Sequence, residues 1–286
     1  MPPTLNTSWI DATLSRLEGK LGIYGSGMNK AEAWRDAVGA MDPESFYKTL
    51  TRDMPGTTEV MIETKGGGSS EMNITCKQGR ITLLRAENHI QSNPSTSKIH
   101  FEEWRVGDQN AAHPNRGHGL GTVLFANHLD LMGRIGLRYM TLRGGREDGA
   151  LYWSRRGFRI DERGPYLHQF IQTIGENYNA LQLQIKPGTQ AEIEKILSAP
   201  TADANILLAR IDDMIDDKKL NQRLFAGTNP RCVVDTQNAM QMSIVRDSLK
   251  NVDALRKSLS DSFPENAPAA VPQNGAKPPA PFDFRQ

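Results

Sequence analysis

The apolar and polar positions of this chain change period twice, dividing it into helical ends and a strand-rich middle. Within residues 1–57, Trp9, Ile10, Leu14 and Leu17 recur at helical spacing, and Ala31, Trp34 and Val38 do so again beyond Gly25 and Gly27. This predicts two short packing helices around a glycine-containing turn. From Thr57 the alternation has period two, which predicts strands over Glu59–Lys65, Glu71–Lys77 and Arg80–Ala86, separated by Gly-rich or Gln-Gly turns. The three form a meander, and a fourth strand follows over 98–106 after a Ser/Asn/Pro loop at 92–97.

Helical spacing then returns. Thr122–Ile135 carries Val123, Leu124, Leu131, Met132 and Ile135 on one stripe, and Gly136 stands where a helix C-terminus favours a positive φ. Leu137–Leu142 reads as a fifth strand, Asp148–Arg156 as a short helix and Phe158–Ile160 as the start of a last strand. Tyr166–Gln184, Gln190–Ser198, Asp203–Phe225 and Gln237–Leu259 are helical again, with Thr189 and Glu192 spaced as a capping box. Four segments result: a helical segment over 1–56, a strand-rich domain over 57–165, a helical extension over 166–260, and a Pro/Ala-rich tail over 261–286 that reads as disordered.

Charge and cysteine content narrow the function classes. Thirty-four basic against 33 acidic side chains give no general attraction to nucleic acid or to an anionic membrane. Cys76 and Cys232 are far apart and outside any metal-ligand spacing, which argues against a disulfide framework and a metal site and favours a reducing compartment. No leader pattern and no run of about 18 apolar residues is present, so the expectation is a soluble, cytoplasmic protein. Asp212, Asp213, Asp216 and Asp217, just before Lys218 and Lys219, read as a solvated helix face rather than a cation site. Val245, Leu249, Val252 and Leu259 form a narrow apolar stripe, suited to packing on the central domain or to meeting a partner helix.

The chemistry-bearing stretch is Arg116-Gly117-His118-Gly119-Leu120-Gly121, which opens the apolar helix. Glycines there let backbone N–H groups approach a phosphate, and the helix dipole points its positive end at the same place. Later the chain reads Leu151-Tyr152-Trp153-Ser154-Arg155-Arg156-Gly157-Phe158. A dinucleotide fingerprint fits badly: Pro114 and Asn115 precede the glycines, their spacing is wrong, and position 141 is threonine rather than an acid. A phosphate-loop lysine is also missing.

Strands, glycine loop, helix, strand, helix and Gly-Phe in this order resemble the GNAT N-acetyltransferase superfamily over roughly 57–165. The resemblance implies an α+β fold with a mixed, mainly antiparallel sheet and flanking helices, here with a C-terminal helical extension. It implies acetyl-CoA, or another acyl-CoA, as co-substrate, wedged between the fourth and fifth strands. Its pyrophosphate would rest on Gly117, His118, Gly119, Leu120, Gly121 and Thr122, with Arg116 adding a charge-assisted bond. His118 falls at a variable position of the motif. A backbone N–H within Trp104, Arg105 and Val106 would polarise the thioester carbonyl. Where the family often has Asn, a small residue and Tyr, this chain has Arg146, Gly149 and Trp153, so the usual proton donor is replaced. Arg146 and Trp153 would border the cofactor. Tyr152, adjacent to Trp153, is the remaining catalytic candidate, although one helical residue turns a side chain by about 100°.

A thiol of pKa about 8.5 leaves acceptably as thiolate, so an acid is dispensable. An amine acceptor of pKa about 10.4 is neutral in only about one molecule in a few thousand at pH 7, a handicap of about 4 to 5 kcal/mol, so a base is expected. His100, Glu102, Glu103 and His113 lie near the expected cleft, and Glu102 and Glu103 are the candidate bases. Simple alternation puts His100, Glu102 and Trp104 on one face and Phe101, Glu103 and Arg105 on the other. The resulting expectation is an N-acetyltransferase acting on a protein lysine, an N-terminus or a small amine. The alternatives are a catalytically degenerate coenzyme A-binding or protein-interaction module, and a secreted bacterial effector working in a target-cell cytosol. A partner could engage the C-terminal helices, and a cleft covered by them would point to regulation.

Overall fold

A computed structural model of the chain describes residues 8–92, 97–106, 119–143, 153–162, 164–198, 215, 217–228 and 230–262. In chain order its elements are α1 (Ser8–Arg16), β1 (Leu21–Gly25), α2 (Lys30–Val38), α3 (Pro43–Leu50), β2 (Thr57–Gly66), β3 (Ser69–Gln78), β4 (Ile81–Gln91), β5 (Lys98–Val106), α4 (Leu120–Ile135) and β6 (Tyr139–Arg143). They continue with β7 (Arg159–Ile160), α5 (Tyr166–Leu181), a 3-10 turn at Gln182–Gln184, α6 (Pro187–Ser198), α7 (Lys218–Leu224), β8 (Arg231–Asp235), α8 (Ala239–Ser248) and α9 (Val252–Ser262). The architecture is α+β, with mainly antiparallel strands and flanking helices. Two compact units divide the chain, one running to Tyr139 and resuming at Leu249, the other covering Met140–Ser248.

In the first unit the strand order is β1-β2-β3-β4-β5, antiparallel from β2 onward. The period-two pattern does what it predicts, since Val60, Ile62, Met72 and Ile74 face a core that holds Trp34 and Phe46. These two rings meet edge to face at 5.1 Å. α2 and α3 start where side chains satisfy their free amides. Asn29 and Glu32 form a capping box on α2, and Asp42 accepts from the Ser45 amide ahead of Pro43 on α3. The expected glycine turn between the first two helices is corrected: Leu21–Gly25 is a strand, parallel to β2 in the register Leu21↔Val60. Five residues with glycine at two positions carry no readable period, and the pairing is supplied by β2. α3 is a third helix where two were expected.

In the second unit the order is β6-β8-β7, with β8 antiparallel to β7 in the register Ile160↔Cys232. β8 was not foreseen, because five residues after Pro230 offer too few alternations to read. The predicted helices 166–184 and 190–198 form as α5 and α6 and enclose Phe170, Ile174, Tyr178, Ile193 and Ile196 with Leu224 of α7 and Phe225 just after it. The capping box is corrected: α6 begins at Pro187, which places Thr189 inside its first turn and buries it. The helix expected over 237–259 is corrected to α8 and α9, broken by a turn in which the Val252 amide donates to the Leu249 carbonyl. Asp217 of the acidic run caps α7 through the Lys219 and Leu220 amides.

Gln241 ties this unit together. Its Nε2 donates to the Gly157 and Val233 carbonyls, each at 3.1 Å, and its Oε1 accepts from the Asp235 amide at 3.1 Å. Gln241→Ala leaves three backbone groups short of a partner in a buried setting. We expect a loss of about 2 to 3 kcal/mol, measured by urea unfolding.

Candidate active site

The site is built on β5 and on the start of α4. Glu87 of β4 pairs with Glu103, but Asn88 pairs with Phe101, so Glu102 is an extra residue and β5 is bulged there. A bulge shifts the phase of the strand and re-aims side chains. Simple alternation is therefore corrected. Phe101 and Trp104 share a face, with ring centroids 4.6 Å apart, and both rings pack on His128 of α4 at 5.3 and 5.2 Å. The Trp104 indole N–H donates to Asn88 at 2.9 Å, which holds the strand beyond the bulge against β4. His100 and Glu102 come together, with Nε2 and Oε2 3.1 Å apart and Glu102 about half exposed at 49%. Their cross-strand neighbour is His89, opposite His100. A solvated carboxylate touching an imidazole can accept a proton from an ammonium group and pass it to water.

α4 begins on Gly119, which has φ +82 and offers no capping side chain, and its first turn holds no acidic residue. The N-terminal amides there are suited to an anion. The two glycines differ in kind. Gly119 needs its positive φ, and a Cβ there would also lie 2.8 Å from Cδ2 of Leu255 on α9. Gly121 has neither constraint, since among the described residues nothing lies within 4 Å of where its Cβ would be. A glycine in a helix costs roughly 0.5 to 1 kcal/mol relative to alanine, and packing does not require it at this position. Gly133 of the same helix is equally unhindered, so what distinguishes Gly121 is its place in the uncapped first turn. Leu120 is buried, so it can offer a ligand its amide but not its side chain. At the other end Gly136, φ +73, closes α4 as its position predicts.

α9 docks on α4 through Arg256. Its Nη2 donates to Asn127 Oδ1 at 3.0 Å, its Nε lies 3.2 Å from Asp53 Oδ2, and its Nη1 donates to Asp253 Oδ1 at 3.0 Å. Buried Asn127 turns its amide to the Leu50 and Arg52 carbonyls at the end of α3, at 3.1 and 2.8 Å. Asp53 itself sits at φ +57, an uncommon conformation for a residue other than glycine. Local spacing gave no signal for this cluster beyond a polar Asn127 in an apolar stripe.

No family model matches this chain, and no curated protein does.

Among the sequence-predicted residues, Glu102, Trp104, Gly119, Leu120, Gly121 and Thr122 thus belong to β5 and the start of α4. Glu103, Arg105 and Val106 lie on β5, and only their backbone is described. Arg116, Gly117, His118, Arg146 and Tyr152 lie outside the described residues, as does His113. Trp153 belongs to the second unit and packs edge to face on Phe158 at 5.2 Å. Among the described residues no group of three His, Cys, Asp or Glu is placed to hold a metal, and no helix is long and apolar enough to cross a membrane. Burial pushes the Cys76 and Cys232 thiols up to about 11 and about 12, which keeps both protonated and unreactive at neutral pH.

Proposed function

We propose that the protein is an acyl-CoA-dependent acyltransferase, an N-acetyltransferase that moves an acetyl group from acetyl-CoA to an amine. The observation that carries this reading is the N-terminus of α4: a glycine start at φ +82, no side-chain cap, no carboxylate, and at Gly121 an open glycine without a packing reason. A pyrophosphate is the ligand that such an end accommodates, and Arg116 stands three residues before Gly119 in sequence to pair with it. Bulged β5, with Trp104 anchored to Asn88, supplies a fixed strand end for the acyl group.

In this scheme the neutral amine attacks the thioester carbonyl carbon, the C–S bond breaks, and the sulfur leaves as thiolate. The ammonium proton goes to Glu102, directly or through His100, and from there to solvent. The helices outside the strand-rich region shape acceptor choice among protein lysines, N-termini and small amines. The chemistry suits a cytosol, whether of the producing cell or, for a secreted effector, of its target.

Calorimetry with acetyl-CoA tests the reading. Wild type is expected to bind in the micromolar range. Gly121→Glu, which places charge and bulk in open space rather than in the core, is expected to weaken binding at least about 100-fold. Gly133→Glu, on the same helix but away from its N-terminus, is expected to leave it unchanged. Failure of folded wild type to bind acetyl-CoA or longer acyl-CoAs at millimolar concentration would sink the proposal.

One observation favours a second reading, a non-catalytic module of the same fold: Gly119 is fully accounted for by its φ and by Leu255. Acetyl-CoA binding without turnover on lysine peptides, protein N-termini and small amines would support that module over the enzyme.

A further inference from the structure

We propose that α9 is an autoinhibitory strap that lowers the affinity of the α4 N-terminus for its cofactor, an inference that rests on the acyl-CoA reading above. The space freed by the missing Cβ of Gly119 is already filled. Cδ2, Cδ1 and Cγ of Leu255 lie 2.8, 3.0 and 3.2 Å from the position that a Cβ would take. A phosphate that approached the backbone at Gly119 from this side would meet the leucine before the amides. Gly121, two residues further on, is open on its own side among the described residues. The strap therefore obstructs one flank of the cradle and leaves the other accessible.

The strap has separate parts for holding and for blocking. Leu259 is fully buried and Arg256 is fixed between Asn127 and Asp53, whereas Leu255 is only partly buried. Asp53 reaches Arg256 from the turn that follows α3, in a left-handed backbone conformation. These few contacts hold the strap, and the neighbouring Ala254, Lys257 and Ser258 are exposed. Such a contact is suited to a two-state equilibrium. When the competent state holds about one tenth of the population, the apparent affinity falls about tenfold.

The test uses the full chain and acetyl-CoA. Leu255→Ala removes the block from a partly exposed position. Arg256→Gln loosens the anchor without touching the cradle, and circular dichroism verifies folding of both. Each is expected to bind acetyl-CoA about tenfold more tightly than wild type. Hydrogen exchange at the amides of residues 252–262 of wild type is expected to rise when acetyl-CoA is added. Binding of equal or lower affinity in Leu255→Ala, with wild type binding, overturns the strap and leaves the acyltransferase reading standing. Absence of binding in wild type and in both folded variants overturns both.

Discussion

Gly157→Ala is expected to destabilise the second unit by at least about 3 kcal/mol. The residue has φ +84, and a Cβ there would lie 2.8 Å from the Gln241 carbonyl oxygen, 2.8 Å from Val245 Cγ2 and 3.2 Å from the Val245 amide. Two of these three atoms belong to the backbone of α8, so relief requires the helix to move and not merely a side chain to turn. The left-handed conformation alone costs roughly 1 to 2 kcal/mol for a non-glycine residue. Displacing α8 adds the loss of the Gln241 bond to the Gly157 carbonyl. Gly136→Ala is the control, because its φ of +73 is similar but, among the described residues, nothing lies within 4 Å of where its Cβ would be. Its expected cost is the conformational part only, about 1 to 2 kcal/mol. Urea unfolding measures both, followed through Trp153 beside Phe158 for Gly157→Ala and through Trp34 beside Phe46 for Gly136→Ala. Equal costs for the two variants would refute the packing account. The Gly-Phe pair behind the acetyltransferase resemblance thus has a structural reason of its own in this chain.

Acid is expected to remove about 3 kcal/mol of stability through a single histidine. His128 is fully buried against Phe101 and Trp104, with Nδ1 2.8 Å from the Leu124 carbonyl and, among the described residues, no hydrogen-bond partner for Nε2. Burial pushes its imidazole down to about 4, against a partial upward pull from the Leu124 carbonyl. Because the folded pKa lies below the unfolded value of 6.5, the unfolded chain binds the extra proton first. The contribution is fully present above pH 6.5 and is lost progressively as pH falls toward 4. A shift of this size corresponds to about 3 kcal/mol at the acid end.

Carboxylates act in a lower window. Hydrogen bonds from Asn73 and Lys65, for example, hold Glu71 below its ordinary value of 4.5, so its contribution is lost only as pH falls below that. Urea midpoints of wild type and His128→Leu between pH 7 and pH 4 separate the two effects. The variant is expected to show a much flatter dependence across that range, and an unchanged slope would assign the acid sensitivity elsewhere.

Much of the first unit was legible residue by residue. Val60 and Ile62, then Met72 and Ile74, alternate with polar residues because one face of the sheet is buried and the other is not. Val123, Leu124, Leu131 and Met132 mark α4 for the same reason at helical period, and Gly136 marks its end because few other residues accept a positive φ. In each case the determining contacts lie within a few residues, and so does the signal.

The rest depended on partners distant in the chain. β1 and β8 are too short to show a period and form on strands that hold them in place. The bulge at Glu102 adds one residue to one strand, which brings Phe101 and Trp104 to the same side and leaves composition unchanged. The glycine-rich start of α4 was visible as a candidate anion site. That Leu255 fills the space at Gly119, and that Arg256 is held by Asn127 and Asp53, was not visible. Sequence by itself determined which residues alternate, which helix ends on glycine and where a glycine-rich helix start lies, because those are properties of neighbouring residues. Only the tertiary structure decided which side of β5 meets α4 and what stands over Gly119, because both are set by contacts whose partners no local pattern encodes.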